Sequence, residues 1–447
     1  MNAKLSKTLT VSRSTCLRRG GSGRLKYARF VWALALVLSS ASAFSADWTL
    51  VPSVTARAGW SDNLFLDSDD PGNQPTGREE ISTAWAQGSI GADLYARTQL
   101  DYFRLGLVLD YNGYSEDVDV EQGNQDVVFQ YRRKGQRSQV RLNGFVRRDS
   151  ITRAIRDPAD FDEIAEEEID LGSGDLTTDQ DSVPSFDGHR IRAAARPSFE
   201  FSLNQKTSAE FRYAYNNLDY SGIPEGTFQA FSRHTLDASI GRRISPSDTV
   251  SLTVLGGRFE TDDDLTETDT LGITLSYERA LREDLDVYAW ISGLENETTS
   301  VVSPGVTRTE DSRDAAFEFG VTKSFVKSRL QFRGGRTLQA SASGGLVFRD
   351  ELRASFNRDI TDRLVLELAA RVYESEFVNL INESTADQEY RRLESALNWR
   401  FTRQVTLTGG YQYTWRKFTG STDSADDHTV FLALRWQGLD PYNRRHR

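Results

Sequence analysis

"FRLGLVLDY", residues 103–111, decides the fold class. Successive side chains of an extended strand point to opposite faces. Phe103, Leu105, Leu107, Leu109 and Tyr111 therefore share one face, and Arg104, Gly106, Val108 and Asp110 share the other. The alternation returns farther along the chain. Leu364, Leu366, Leu368, Ala370 and Val372 oppose Glu367 and Arg371, and Leu393, Leu397, Trp399 and Phe401 oppose Arg392, Glu394, Asn398 and Arg400. Val405, Leu407, Gly409, Tyr411, Tyr413 and Trp415 oppose Thr406, Thr408, Gln412 and Arg416. A lone strand has no use for apolar faces this long, whereas a sheet whose outer face meets lipid does.

Two kinds of connection alternate between these segments. Short polar turns fall near 97–99, 133–136, 204–206, 245–248, 282–284, 326–328, 361–363 and 402–404. Longer, mostly acidic connections run at 61–82, 116–124, 150–188, 218–231, 260–267, 296–312, 337–344, 376–388 and 418–428. Short turns on one side and long loops on the other is the pattern of bacterial outer-membrane barrels. One strand before the first loop, a hairpin around each short turn and one strand after the last loop give about eighteen strands, within a range of about sixteen to eighteen. The expected fold is all-β: a transmembrane antiparallel β-barrel with short periplasmic turns and long acidic extracellular loops. An even count puts both ends on the periplasmic side. A soluble β-sandwich is the competing architecture, and so many strands without a helix or a cysteine weigh against it.

Composition agrees. The first 29 residues carry eight basic residues and no acid, Phe30 to Leu38 is unbroken apolar sequence, and small residues follow to Ala46. This is a secretory signal peptide, expected to occupy 1–46 and to be cleaved; its apolar core is too short for a membrane span. The barrel is then expected over 47–436, with a basic tail at 437–447 ending Arg444-Arg445-His446-Arg447. The only cysteine, Cys16, leaves with the leader, which excludes disulfides, thiolate metal sites and a cysteine nucleophile. Loss of the leader moves the formal net charge from -11 to about -19, with 46 basic residues left against 65 acidic. Nucleic-acid binding is disfavoured by that balance.

With the apolar face outward, the inward set holds many arginines. Arg141, Arg190, Arg192, Arg196 and Arg212 come from three neighbouring strands and form a candidate lumen wall able to attract carboxylates or phosphates. Further inward positions include Arg104, Arg147, Arg333, Arg353, Arg371, Arg392, Arg400, Arg416 and Arg435. Inward carboxylates at Glu200, Glu210, Asp237, Glu278, Asp314, Glu318, Glu351, Glu367 and Glu394 support a second reading, in which mixed charges simply solvate a wide pore. The loop at 150–188 has twelve acidic residues between Asp157 and Asp187 and no Lys or Arg; it can be a pore constriction, a cation-binding segment or a solvated loop. Of the four histidines, His234 and His428 lie at strand starts beside loop carboxylates, which raises a hydrolase reading. No H-E-x-x-H, G-x-S-x-G or phosphate-loop motif accompanies them. No cofactor or metal is implied.

The mature chain opens with Pro52-Ser53-Val54-Thr55-Ala56-Arg57-Ala58-Gly59-Trp60-Ser61-Asp62-Asn63-Leu64-Phe65. The aromatic Trp60, a short polar step, Asp62-Asn63 and an apolar pair resemble the N-terminal signature of the type 2 outer-membrane β-barrel porins. The hairpin pattern is similar to that family over essentially the whole mature chain. The resemblance implies an outer-membrane barrel associated with exopolysaccharide or capsule export in a Gram-negative bacterium, with no family catalytic residues to carry over. This chain departs from the usual barrel ending, because Trp436 is followed by eleven more residues. The expectation is a passive, porin-like conduit for an anionic oligo- or polysaccharide, not an enzyme. Its partners are outer-membrane lipid, the insertion machinery and envelope export proteins. A surface scaffold or adhesin with a closed lumen and binding loops is the alternative, and an outer-membrane hydrolase is a third reading.

Overall fold

Alternation that long closes a sheet on itself. In the computed structural model, which describes residues 46–64, 66, 81–115, 123–150, 188–223, 229–263, 265–303, 306–340, 345–377, 388–418 and 424–439, every regular element is a β-strand. The signal peptide, the interior of the loop at 150–188 and the Arg444–Arg447 end of the tail lie outside the described residues. The eighteen strands are β1 (Asp47–Ser61), β2 (Thr83–Arg97), β3 (Asp101–Tyr114), β4 (Gly123–Lys134), β5 (Ser138–Ser150), β6 (His189–Ser202), β7 (Thr207–Ser221), β8 (Phe231–Arg243) and β9 (Asp248–Thr261), followed by β10 (Thr266–Arg282), β11 (Leu285–Ser303), β12 (Val306–Ser324), β13 (Ser328–Ala340), β14 (Leu346–Thr361), β15 (Leu364–Phe377), β16 (Gln388–Arg400), β17 (Val405–Phe418) and β18 (Ser424–Gln437).

Each strand pairs antiparallel with the next. The barrel closes where β1 meets β18, in register from Ser53↔Gln437 to Ser61↔Thr429. Closure leaves no sheet edge along the seam, which a lipid environment requires because it offers no water to satisfy backbone groups. Ile90, Leu109, Phe211, Leu236, Ile273 and Leu432 stand exposed on the outer face. Asp110, Asn124, Asp126, Thr253, Thr274 and Ser292 are buried on the inner face. An apolar exterior around a polar interior inverts the soluble pattern and defines a membrane-spanning barrel.

Two local features modify the plan. Pro197 in β6 lies opposite Leu142 of β5, and the printed β6–β7 pairs skip Arg196 and Pro197, resuming at Ser198↔Arg212. Proline has no N–H to give, so the ladder is weakened there. The segment 296–312, expected to be a loop, is instead the upper part of the longest hairpin, since β11 and β12 are each 19 residues long. Its acidic and threonine residues support pairing above the apolar band. Thr268 and Thr298 hydroxyls bond at 2.9 Å, Thr299 and Thr309 at 3.1 Å, and Arg313 donates to Glu295 at 2.9 Å. Acidity was read as loop character, yet the strand period continues through it.

Candidate functional site: the lumen and the flap that crosses it

All five predicted wall arginines lie on the inner face of β5, β6 and β7, but with different company. The register sets Asp149 opposite Arg190 and Arg147 opposite Arg192. Asp149 accepts from Arg190 and, at 3.0 Å, from Arg192; Arg147 pairs with Asp126. All five of these charges are buried. Removing one member of such a cluster strands a buried charge, at a cost of about 3–5 kcal/mol. Arg141 and Arg212 are more open, with Glu200 at 3.4 Å and Asp237 at 4.0 Å, and Arg196 is half-buried between them. Arg141, Arg196 and Arg212 are therefore the less buried members of this wall.

A second arginine wall lines β14 to β17. Glu351 bridges Arg353 and Arg371, Arg392 donates to Gln412 at 3.0 Å, and Arg416 donates to the Leu66 carbonyl at 2.8 Å. Arg349 lies over the Tyr373 ring at 4.0 Å, and Tyr373 stacks on Tyr390 at 4.8 Å. Arg349 is absent from the sequence-derived set. Its odd-numbered phase, shared with Arg353, was the available signal.

The Trp60, Asp62 and Asn63 motif fastens the seam. Trp60 is exposed on the outer face, the place of an interfacial girdle residue. Asp62 Oδ1 accepts from the His428 N–H at 2.6 Å, and Ser82 Oγ donates to the Asp62 carbonyl at 2.7 Å, so Asp62 ties β18 to the start of β2. Ser61 Oγ and the Asn63 N–H both donate to Asp427 Oδ1. Leu66 follows with φ of 54°, a left-handed turn.

The wall is split at the loop end. The β12–β13 ladder stops at Phe317↔Arg336, while β13 remains paired to β14 up to Ala340↔Leu346 and β14 to β15 up to Val347↔Phe377. Above the split, β13 and β14 curl inward across the lumen as a flap. By alternation Leu338, Ala340, Leu346 and Phe348 belong to the outer face, yet they form one buried cluster with the inward residues Leu218, Phe231, Phe259, Leu294 and Ala316 of β7 to β12. Arg233 of β8 donates to the Leu338 carbonyl at 3.5 Å, a contact between strands five apart in the ring. The flap's other face is buried too: Gln339 is 1 %, Val347 0 % and Arg349 1 % exposed. Each buried Leu or Phe side chain contributes roughly 1.5–3 kcal/mol relative to water. Apolar residues in inward phase at Leu218, Phe231 and Phe259 were the sequence sign of this closure. The curl leaves a concavity of about 410 Å³ in the outer wall, lined by Phe317, Phe319, Leu352 and Val372 with Glu374 and Arg391.

The two histidines singled out from the sequence, His234 and His428, do not lie in the lumen. His234 and His428 face outward. Nδ1 of His234 bonds the Tyr213 hydroxyl at 2.7 Å, and Nδ1 of His428 bonds that of Tyr411 at 2.7 Å. His428 Nε2 faces Asp426 at 3.5 Å, so both of its ring nitrogens have partners within the protein.

The fold and its apolar exterior define a closed, eighteen-stranded barrel of the outer-membrane type. Among solved structures, the chain is similar to the outer membrane channel DcaP of Acinetobacter baumannii, with 12% identity, 88% of this chain and 97% of that one covered, and a TM-score of 0.41. It is similar to OccK2 (OpdF) of Pseudomonas aeruginosa, with 10% identity, coverage of 88% and 98%, and a TM-score of 0.44. It is also similar to the ferric-catecholate import receptor Fiu of E. coli K12, with 10% identity, coverage of 86% and 81%, and a TM-score of 0.39. No protein-family model matches the sequence, and no curated protein matches it.

Proposed function

We propose that this protein is a passive conduit of the Gram-negative outer membrane for anionic solutes, with an anionic oligo- or polysaccharide as its cargo. The observation that carries the reading is the pair of arginine walls facing each other across the lumen, on β5–β7 and β14–β17. Guanidinium groups present planar forks that bind carboxylates and phosphates in bidentate fashion, and a charged pore lining selects by sign. The saccharide cargo is supported by the resemblance of the Trp60–Asp62–Asn63 segment to the type 2 porins. Outer-membrane lipid, the insertion machinery and envelope export proteins are the partners that reading requires. Replacing Arg141, Arg196 and Arg212 together by Gln should lower anion-over-cation permeability several-fold in planar bilayers under a salt gradient. An unchanged reversal potential would sink the reading.

A scaffold or adhesin with a closed lumen is the second reading, favoured by the flap that crosses the interior. Conductance separates the two, because a scaffold passes no ionic current.

A further inference from the structure

We infer that the concavity in the outer wall is a lipid site, selective for a lipid whose head carries a phosphate and a primary ammonium. The site lies outside the lumen, so it stands whatever the barrel conducts. Its floor and rim follow from two neighbouring cross-strand rows. One row runs Phe319↔Gly334↔Leu352↔Val372↔Arg391, apolar until it ends on a cation. The next row toward the loops runs Phe317↔Arg336↔Asp350↔Glu374↔Glu389 and is charged after its first member. The dent of about 410 Å³ lies where the two rows meet, beside the last β12–β13 pair. Phe317, Phe319, Leu352 and Val372 are exposed on a wall that meets acyl chains elsewhere. An apolar floor left without such a chain forfeits its dispersion contacts, so a chain fills it.

The rim charges choose the head. Arg336 is already held by Asp350 at 2.9 Å and Glu376 at 2.9 Å. Arg391, Glu374 and Glu389 are the remaining charges around the opening. Glu374 and Glu389 stand directly opposite each other, and like charges so placed are unfavourable until a cation joins them. Lys417, opposite Glu389 on its other side, does not line the concavity. Arg391 lies over the Trp415 ring at 4.4 Å and bonds Glu389 through Nη2 at 3.3 Å, which leaves guanidinium donors for a phosphate. A purely anionic head would face two carboxylates, and a purely cationic one would face Arg391. A phosphate joined to an ammonium satisfies both. A primary ammonium also donates hydrogen bonds to the carboxylates, which a quaternary one has no N–H to do.

The sole native cysteine, Cys16, lies in the expected leader, so an introduced thiol would be the only one in the barrel. Ala370→Cys places a fluorescent label on the outer face two residues from Val372, and Leu236→Cys places one on the exposed face of β8 as a control. Each labelled barrel is reconstituted in phosphatidylcholine vesicles containing a small fraction of phosphatidylethanolamine, phosphatidylglycerol or phosphatidylcholine with brominated, quenching chains. At Ala370, brominated phosphatidylethanolamine should compete for the site about threefold better than the other two, the scale of one exposed charge pair. At Leu236 the three should quench alike. Joint replacement Glu374→Gln and Glu389→Gln should abolish the phosphatidylethanolamine advantage, while Arg391→Gln should weaken phosphatidylethanolamine and phosphatidylglycerol together. Quenching of the label by bulk brominated lipid shows that each variant is inserted. Equal quenching by all three lipids at Ala370, the same preference at Leu236, or a preference that survives the double Gln replacement overturns the site. Preference for phosphatidylglycerol at Ala370 overturns it as well, since the ammonium then plays no part.

Discussion

Asp62 shows how one short side chain can serve two strands at once. Its carboxylate holds the β18 backbone at His428 and its carbonyl holds Ser82, so Asp62→Ala removes an acceptor at the seam. The expected cost is about 1–3 kcal/mol, and Asp62→Asn, which keeps one oxygen in place, should recover part of it. The temperature at which the folded band disappears in semi-native electrophoresis measures the difference. At the turn end, the Lys323 ammonium bonded to Asp284 holds that carboxyl below its ordinary value of 3.8. A depressed folded pKa means the pair's contribution is complete above the ordinary carboxylate range and is lost as pH falls through the lowered value. A carboxyl NMR titration should place the Asp284 midpoint below 3.8, and Lys323→Gln should bring it back up. At this scale strand phase assigns a face but not a partner. Inward phase located Arg190 and Arg192, but their burial with Asp149 depends on which residue stands opposite across the ladder, and no single-strand pattern contains that.

Among the strands, what decides behaviour is where pairing stops. Strand alternation in 103–111 and its repeats was enough to place every short turn and the number of strands, because period two is a property of each strand by itself. Two elements escaped it. The β11–β12 extension was hidden because acidic sequence resembles loop sequence once no apolar row marks it. The inward curl of β13–β14 was hidden because phase assigns a side chain to a face of the sheet, and the curl moves the whole sheet. Gly335 is the position where these elements touch most closely. Gly335→Val forces a branched side chain against the Phe317 carbonyl and Glu318 Cα, at 2.3 and 2.7 Å from the ideal Cβ. Such overpacking should cost about 1–3 kcal/mol and lower the unfolding midpoint of the barrel in detergent, whereas Gly335→Ala should fall between Val and the native residue.

For the whole molecule, the apolar exterior and closed hydrogen bonding follow from one constraint, the absence of water around the wall. The interior is where arginines and carboxylates interleave and where the β13–β14 flap packs. The seam carries a consequence in time. Its clasp joins Ser61 to Asp427, 366 positions apart, and such contacts form only after the chain between them has been delivered and ordered. A chain interrupted before residue 427 would offer Ser61, Asp62 and Asn63 nothing to hold, and β1 would keep an open edge. The clasp therefore reports completion: it distinguishes a finished barrel from one still under construction, using only the distance between the two halves of a single contact.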